Sequence, residues 1–195
     1  NLPWQIFHTV RYEGHPALWH LFLWPFAQFS WNPMWMQVAH VMLAGWAAWV
    51  LLRFSPFPWP VRVLIPLGYF FTYEWGVIAR NYAIAVLLLW IVCALHRHRW
   101  RWFAAEGLAL GLLCHTNILG LIMVLALLPC LAIEFAVAYA GRYRSARRCL
   151  GRALLGLLLA AGGAASAAVQ MKPPEDTAFA TGWNLRWNEN KARAA

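Results

Sequence analysis

Long apolar runs that carry almost no charge constrain this chain more than any other feature of its sequence. Residues 118–138 contain a single charged side chain, Glu134, and residues 153–171 contain none. Such runs approach the roughly 20 residues that a helix needs to cross a bilayer. Hydrophobic residues make up 62% of the chain and charged residues 12%, whereas about a quarter of a soluble domain is charged. The predicted fold class is therefore all-α, a polytopic transmembrane helical bundle.

Three basic clusters divide the apolar runs: residues 53–62, 96–101 and 142–152. Because short basic loops stay cytoplasmic, all three are placed inside. Two apolar runs lie between each neighbouring pair of clusters, so the chain can cross out and back between them, which gives about six crossings in all. This placement accounts for the net charge of +9, and no nucleic-acid partner is expected. The predicted crossings are residues 34–52, 63–79, 82–95, 103–115, 118–138 and 153–171.

Residues 17–31 do not fit this pattern as a crossing, because the run is short and contains Pro25 and Gln28. One interpretation is a juxtamembrane or re-entrant helix on the outer face. The other is a true crossing that places residues 1–16 inside. We adopt the first, which predicts an extracytoplasmic loop remnant at 1–16, a transmembrane helical domain at 17–171 and an extracytoplasmic loop or tail at 172–195.

Two further patterns concern packing. The Gly- and Ala-rich stretch 151–168, with Gly151, Gly156, Gly162 and Gly163, predicts a helix that packs closely against another helix. The four cysteines lie in or beside apolar runs without a CxxC pair, so they are interpreted as packing residues. His20 and His40, each alone in an apolar run, are interpreted in the same way.

The predicted outer turns collect the unusual polar residues. They comprise the segment 8–16, the segment Tyr73–Tyr82, the turn at His115–Asn117 and the segment Lys172–Asp176. The predicted cytoplasmic loops carry no acid that could act as a base, and Glu106 and Glu134 are interpreted as structural partners of the basic loops. Any reaction is therefore expected at the outer face.

Each of these polar residues has a structural and a functional interpretation. Arg80 either forms an ion pair with Glu74 or binds a phosphate, for which its forked, always-charged donor is well suited. His115 is a satisfied core histidine, a phosphate contact or a proton carrier. Glu13 is either a general base or a residue that holds Arg11 or His15 in place.

A metal site is not predicted. His8 and His15 with Glu13 provide ligand types for a metal, but their spacing is not diagnostic. No cofactor is evident, and a requirement for a divalent cation is left open.

The segment Glu13–Leu21, with the order Glu-Gly-His-Pro-Ala-Leu-Trp-His-Leu, resembles the integral-membrane GT-C glycosyltransferases. The closer likeness is to the branch of protein mannosyltransferases and lipid A aminoarabinose transferases, which often has a second Pro where this chain has Ala17. The Ala-Arg-x-Tyr core within Tyr73–Tyr82 matches a second motif of that family, although Glu74 is shifted upstream. His115 corresponds to a His that the family often carries on the next outer turn.

The resemblance implies transfer of a sugar from a polyprenyl-phosphate donor to a glycan, lipid or protein acceptor. It implies that Arg80 contacts the donor phosphate, that His15 shapes the outer loop and that His115 contacts donor or acceptor; Tyr82 and Glu74 complete the predicted substrate-binding set. The family's main catalytic acid is expected upstream of Asn1, so the chain is expected to be a fragment, with Glu13 the nearest remaining acid. The implied location is the bacterial inner membrane, with the site facing the periplasm or exterior.

Two other functions remain open from the residues. The first is a transporter or flippase component with a polar path lined by Glu74, Arg80 and His115, which would favour inverted repeats. No convincing repeat is present, and the polar residues gather on one predicted side, which favours the enzyme. The second is a non-catalytic membrane scaffold.

Overall fold

A computed structural model of the chain describes residues 3–13, 15–29, 32–74, 76, 78, 80–172 and 174. Every regular element among these residues is a helix, which confirms the predicted all-α class. The α-helices are α1 Pro3–Val10, α2 Leu18–Phe29, α3 Met34–Phe54, α4 Trp59–Leu67, α5 Tyr82–His96, α6 Arg99–Cys114, α7 Ile118–Ala140, α8 Arg144–Arg148 and α9 Leu150–Gln170. A 3-10 turn, Arg11–Glu13, follows α1, and a π-helical turn, Phe70–Glu74, follows α4.

Three helices, α3, α7 and α9, are long and apolar enough to cross a membrane. They have 21, 23 and 21 residues, and at 1.5 Å per residue each rises about 30 Å or more, the thickness of a hydrocarbon core. Only about a third or less of each apolar window is buried inside the protein. Leu158 and Val169 on α9 are 70% and 71% exposed, as expected for side chains that face lipid, so we describe the chain as a membrane protein.

The prediction of about six crossings is not confirmed. Residues 63–79 do not form one helix, because α4 ends at Leu67 and Gly68 has an extended backbone. Pro66, inside α4, has no backbone N–H to donate. Helices α5 and α6 have only 15 and 16 residues, which rise about 22–24 Å. Among the described helices, three therefore meet the length for a straight crossing.

The short run after the first outer segment forms α2, a helix of 12 residues with Pro25 inside it. It rises about 18 Å, less than the hydrocarbon core. It packs against α3, where the buried ring of Trp19 meets the edge of His40 at a centroid distance of 5.8 Å. His40 is thus a core residue, as its apolar surroundings predicted.

The core of the bundle is the contact between α6 and α9. A Cβ atom on Gly107 would collide with the backbone of Gly156, and one on Gly163 would collide with the backbone of Gly111. The predicted close-packing face is therefore present at Gly156 and Gly163. Gly151 and Gly162 have no atom within 4 Å of an added Cβ, so they lie away from this contact.

The neighbours of this pair define two ends of the bundle. α5 packs between α3 and α6, and α7 packs on both α6 and α9. At one end the Arg152 guanidinium donates to the Arg101 carbonyl (3.1 Å), and Phe54 and His96 line one cavity. All three basic clusters thus contribute residues to the same end, which we call the basic end. The opposite end, at the α6–α7 turn, is called the His115 end.

Candidate functional site

The His115 end is built on a tight turn between two apolar helices. Asn117 caps α7, since its side-chain oxygen accepts a hydrogen bond from the Gly120 amide (2.8 Å). The Thr116 hydroxyl donates to the Leu113 carbonyl (2.8 Å). A Cβ on Gly120 would collide with that carbonyl, so glycine allows the close approach. Thr116 and Asn117 are both buried, and the turn is held from inside.

Both ring nitrogens of His115 are engaged within the protein. Nδ1 lies 2.9 Å from the Gly111 carbonyl, and since a carbonyl only accepts, Nδ1 is the protonated donor. Nε2 lies 2.9 Å from the Ser166 hydroxyl on α9, which is also 3.1 Å from the Gly163 carbonyl. In a neutral ring, Nε2 accepts a hydrogen bond from the hydroxyl, whose single proton then points to Nε2 and not to the Gly163 carbonyl. His115 therefore joins the end of α6 to α9, which is a positioning role.

Three segments singled out in the sequence meet at this turn. The Leu18 amide donates to the His115 carbonyl (3.3 Å), and the Asn81 side-chain amide donates to the Thr116 carbonyl (2.9 Å). The Ala17 amide donates to the side-chain oxygen of Gln170 on α9 (3.3 Å). The His-Pro segment and the Arg-x-Tyr segment are thereby attached to one structural centre.

Arg80 lies beside this centre, two residues before the start of α5, and is exposed. Its side chain makes no hydrogen bond or ion pair with any other described residue. Glu74 instead accepts a hydrogen bond from the Tyr69 hydroxyl (3.4 Å), so the alternative Glu74–Arg80 ion pair is not formed. The positive N-terminal end of α5 adds to the charge of Arg80 and favours an anion nearby.

The remaining predicted site residues differ in their surroundings. His15 is exposed, whereas Pro16 and Ala17 after it are buried. Tyr82, the first residue of α5, is half-buried. The His-Pro motif thus presents its imidazole outward while its following residues pack into the bundle.

Several predicted residues lie outside the described part of the chain. These are the side chains of His8 and Glu13, the residues Gly14 and Ala79, and the tail beyond Pro174. Within the part that is described, no three His, Cys, Asp or Glu side chains stand close enough together to hold a metal ion.

The basic end contains a second polar group, formed by helix residues. His96 Nδ1 lies 2.8 Å from Glu106 Oε1, and Arg99 forms an ion pair with Glu134. The prediction that these two acids are partners of the basic loops is confirmed. Both acids lie on helices, Glu106 on α6 and Glu134 on α7, and not in the loops between them.

Sequence reasoning missed Ser166 and Gln170 at the His115 end. Both are polar residues in the last two turns of α9, after an uncharged apolar stretch from Ala153 to Ala165, and that position near a helix end was a usable signal. Comparison with protein-family models, curated proteins and solved structures finds no match to this chain. The resemblance to the GT-C enzymes therefore rests on the motifs alone.

Proposed function

We propose that this chain is part of a membrane glycosyltransferase that moves a sugar from a polyprenyl-phosphate donor to an acceptor at the His115 end. One observation supports this above the others. The three motifs of the resemblance lie far apart in sequence, yet two of them hydrogen-bond directly to the turn that carries the third. A shared site requires such a convergence.

In this proposal Arg80 binds the donor phosphate. Its guanidinium is exposed and has no partner among the described residues, so binding an anion requires no existing contact to break. A forked, permanently charged donor also matches the geometry of phosphate oxygens. The prenyl chain of the donor lies in the bilayer beside the apolar helices.

The chemistry is a displacement at the anomeric carbon. The bond from the new acceptor oxygen to the sugar forms while the bond from the sugar to the phosphate oxygen breaks, and polyprenyl phosphate leaves. A carboxylate takes the acceptor proton, and Arg80 stabilises the charge that develops on the leaving phosphate. Glu13, the acid next to the His-Pro motif, is the candidate within this chain for the first task, although the resemblance implies that the family's main acid lies in a different segment.

The other predicted residues support this arrangement. His115 positions the turn through Gly111 and Ser166, while Tyr82 and Glu74 border Arg80 along the chain and His15 presents a polar ring at the same end. The proposed orientation places this end toward the periplasm or exterior of a bacterial inner membrane. A glycan, a lipid or a protein is compatible with this site as the acceptor.

The first test measures donor binding, because Arg80 is proposed to contact the donor and not the acceptor proton. The full chain, reconstituted in nanodiscs, is titrated with a panel of radiolabelled polyprenyl-phosphate sugars that includes mannose and aminoarabinose. Loss of a charge-assisted contact costs about 1.5–3 kcal/mol, so Arg80→Ala is expected to weaken binding about 10- to 150-fold. Arg80→Lys keeps the charge but not the fork, and is expected to fall between.

Arg97→Ala is the matched control, because Arg97 is an exposed arginine at the basic end. It is expected to bind the donor as the wild type does. Equal losses in both variants would indicate a general charge effect and contradict a site at Arg80. If the wild type binds no donor in the panel, the glycosyltransferase proposal fails, and uptake by sealed vesicles becomes the test of the transporter alternative.

A further inference from the structure

The hydroxyl of Ser166 and the ring of His115 form a pair that the sugar-transfer proposal uses only to hold the turn in place. Ser166 Oγ lies 2.9 Å from His115 Nε2, and Ser166 is exposed on α9. A serine hydroxyl within hydrogen-bond reach of an imidazole is activated as a nucleophile when a third group orients the ring. The Gly111 carbonyl is that group, because it accepts from Nδ1 (2.9 Å) and so leaves Nε2 of the neutral ring as the acceptor.

The surroundings of the pair set the direction in which the proton moves. Ser166 Oγ is also 3.1 Å from the Gly163 carbonyl on its own helix, so the hydroxyl has an acceptor there without His115. His115 Nε2, in contrast, has no other donor among the described residues. The hydroxyl proton therefore points to Nε2, which is the direction of transfer that general-base catalysis requires.

A donor for the oxyanion of such a reaction lies on the same face of α9. Gln170 follows Ser166 by one helical turn, at the end of the helix. Its Oε1 accepts from the Ala17 amide (3.3 Å), which orients the side-chain amide, because a backbone N–H only donates. The Gln170 Nε2 group makes no hydrogen bond with another described residue. A nucleophile, its base and an oxyanion donor thus stand together at the His115 end.

The surface next to Ser166 indicates the class of substrate. Leu155, Leu159 and Gly162 precede Ser166 on one face of α9, at helical spacing. The two leucines are 49% and 36% exposed, and Gly162 has no atom within 4 Å of an added Cβ. This open, apolar face lies on a helix long and apolar enough to cross a membrane. It fits an acyl chain, and not a peptide backbone whose polar groups would lack partners in lipid.

We propose that Ser166 and His115 hydrolyse the acyl ester of a membrane lipid through an acyl-serine, with Gln170 as the oxyanion donor. The acyl chain lies along the open face of α9. The ester carbonyl lies at Ser166, about 6 Å before the end of the helix, where water from the interface reaches it. This activity goes beyond the proposed sugar transfer and needs neither Arg80 nor a sugar donor.

The reaction balances with water as its only co-reactant. Ser166 Oγ bonds to the ester carbonyl carbon while its proton moves to His115 Nε2, and the carbonyl oxygen takes the electron pair and a hydrogen bond from Gln170. The bond from that carbon to the alcohol oxygen then breaks, and the alcohol leaves with the proton from Nε2. Water attacks the acyl-serine by the same route, which releases the fatty acid and restores the hydroxyl.

Covalent labelling tests the nucleophile and its base. The full chain, in nanodiscs of diether phosphatidylcholine that contain no acyl ester, is treated with a dodecyl fluorophosphonate and analysed by site-resolved mass spectrometry. Ser166 is expected to form the adduct. Ser145, an exposed serine on α8, is the matched control and is expected to stay unlabelled. His115→Gln is expected to slow labelling about 100-fold or more, the usual contribution of a general base.

Turnover tests the reaction and the oxyanion donor. The wild type is expected to release nitrophenol from nitrophenyl dodecanoate, and Ser166→Ala, which puts a good helix former in α9, is expected to fold and lose this activity. Gln170→Glu keeps an oxygen for the Ala17 amide but has no N–H. It is expected to lower kcat about 10²- to 10³-fold, as loss of an oxyanion donor does.

Chain length tests the substrate class. The kcat/KM for nitrophenyl acetate is expected to be about tenfold or more below that for the dodecanoate, because a short chain buries few CH₂ groups. Equal values would contradict a lipid ester. Cleavage of a fluorogenic peptide without cleavage of either ester would indicate a protease and overturn the proposal.

The remaining outcomes decide the roles of the residues. Absence of an adduct on Ser166, or equal labelling of Ser145, would show that the hydroxyl is not activated. Labelling at the wild-type rate in His115→Gln would show that the ring is not its base. Since His115 also holds the turn, Ser166→Ala and Gln170→Glu decide the question if the His115 variant does not fold. Wild-type turnover in either of these two variants would overturn the mechanism.

Discussion

At the scale of single residues, adjacent glycines on α9 have opposite roles. Gly163 faces α6, where an added Cβ would collide with Gly111 Cα and lie 2.8 Å from the Gly111 carbonyl oxygen. Gly162 has no atom within 4 Å of an added Cβ. Helix packing therefore requires glycine at position 163 but not at position 162, although the two residues are adjacent on one helix.

This difference predicts the stabilities of two alanine variants. Gly163→Ala forces α6 and α9 apart, and is expected to lower the free energy of unfolding by about 1–3 kcal/mol, as overpacking does. Gly162→Ala adds a methyl group to open space and a better helix former, so it is expected to leave that free energy equal or slightly higher. Reversible unfolding in mixed micelles measures both, and equal losses would contradict the assigned contact.

Arg80 and His115 were both predicted as site residues at the same end of the bundle. They differ in the contacts that their side chains make. His115 is fully engaged with Gly111 and Ser166, whereas Arg80 is exposed without such contacts. A motif identifies residue types but not which of them are already occupied by neighbours. The test of the donor site therefore rests on Arg80.

At the scale of elements, the start of α7 depends on one side chain. Asn117 provides the cap, and its position between two apolar helices leaves the Gly120 amide no access to water as a substitute. At the start of α3 the Asn32 side chain accepts a hydrogen bond from the Met34 amide (2.9 Å). In the part of the chain that the structure describes, the residues that precede α4, α5, α6, α8 and α9 form no side-chain cap.

Asn117→Ala is expected to lower the free energy of unfolding by about 0.5–2 kcal/mol, the usual cost of losing an N-cap. It is also expected to speed hydrogen exchange at the Gly120 amide, which loses its acceptor. Asn117→Ser keeps a side-chain oxygen and is the control, with a smaller effect on both. Thermal unfolding and amide exchange by NMR measure the two quantities, and unchanged exchange at Gly120 in the alanine variant would rule out the cap.

The observed helix bounds show which of the predicted helices a local sequence pattern is enough to specify. Helix α7 was predicted at 118–138 and is observed at Ile118–Ala140, because a long apolar run specifies a helix by itself. The run at 63–79 has similar composition but is interrupted at Pro66 and Gly68. The hydropathy of these residues predicted a crossing. The helix nevertheless ends at Leu67, where Pro66 lacks a backbone N–H and Gly68 adopts an extended backbone.

At the scale of the whole molecule, the bundle has two chemically different ends. The basic end carries residues of the three basic clusters and a cavity of about 540 Å³, and the His115 end carries Arg80 and the converging motifs. If α9 crosses the membrane, the residues that flank it must lie on opposite faces. Ser145 precedes α9, Lys172 follows it, and both are exposed.

Cysteine accessibility tests this arrangement. Ser145→Cys and Lys172→Cys are expected to react with a membrane-impermeant maleimide from opposite faces of sealed vesicles, because the 21 residues of α9 match a hydrocarbon core of about 30 Å. Arg97→Cys, also at the basic end, is expected to react from the same face as Ser145→Cys. Labelling of the cysteines at 145 and 172 from one face would contradict a crossing by α9.

The candidate site was predictable in part. Arg80, His115 and the segment after His15 were found because their residue types and order form a pattern along the chain. Ser166 and Gln170 were not found, since their partners are 51 and 153 residues away in sequence. The cavity was not found either, because its walls come from four helices whose relative rotation no single stretch encodes.

The sequence by itself determined the helical class, the three long apolar helices and the basic character of the loops. These are properties of contiguous residues: hydropathy, helix-breaking prolines and glycines, and the sign of charge in each loop. Only the tertiary structure decided which glycines meet, that His115 is already bonded at both nitrogens, and that four helices enclose one cavity. Those outcomes depend on how packed helices are turned toward one another, and a contact between distant residues exists only after that packing is complete.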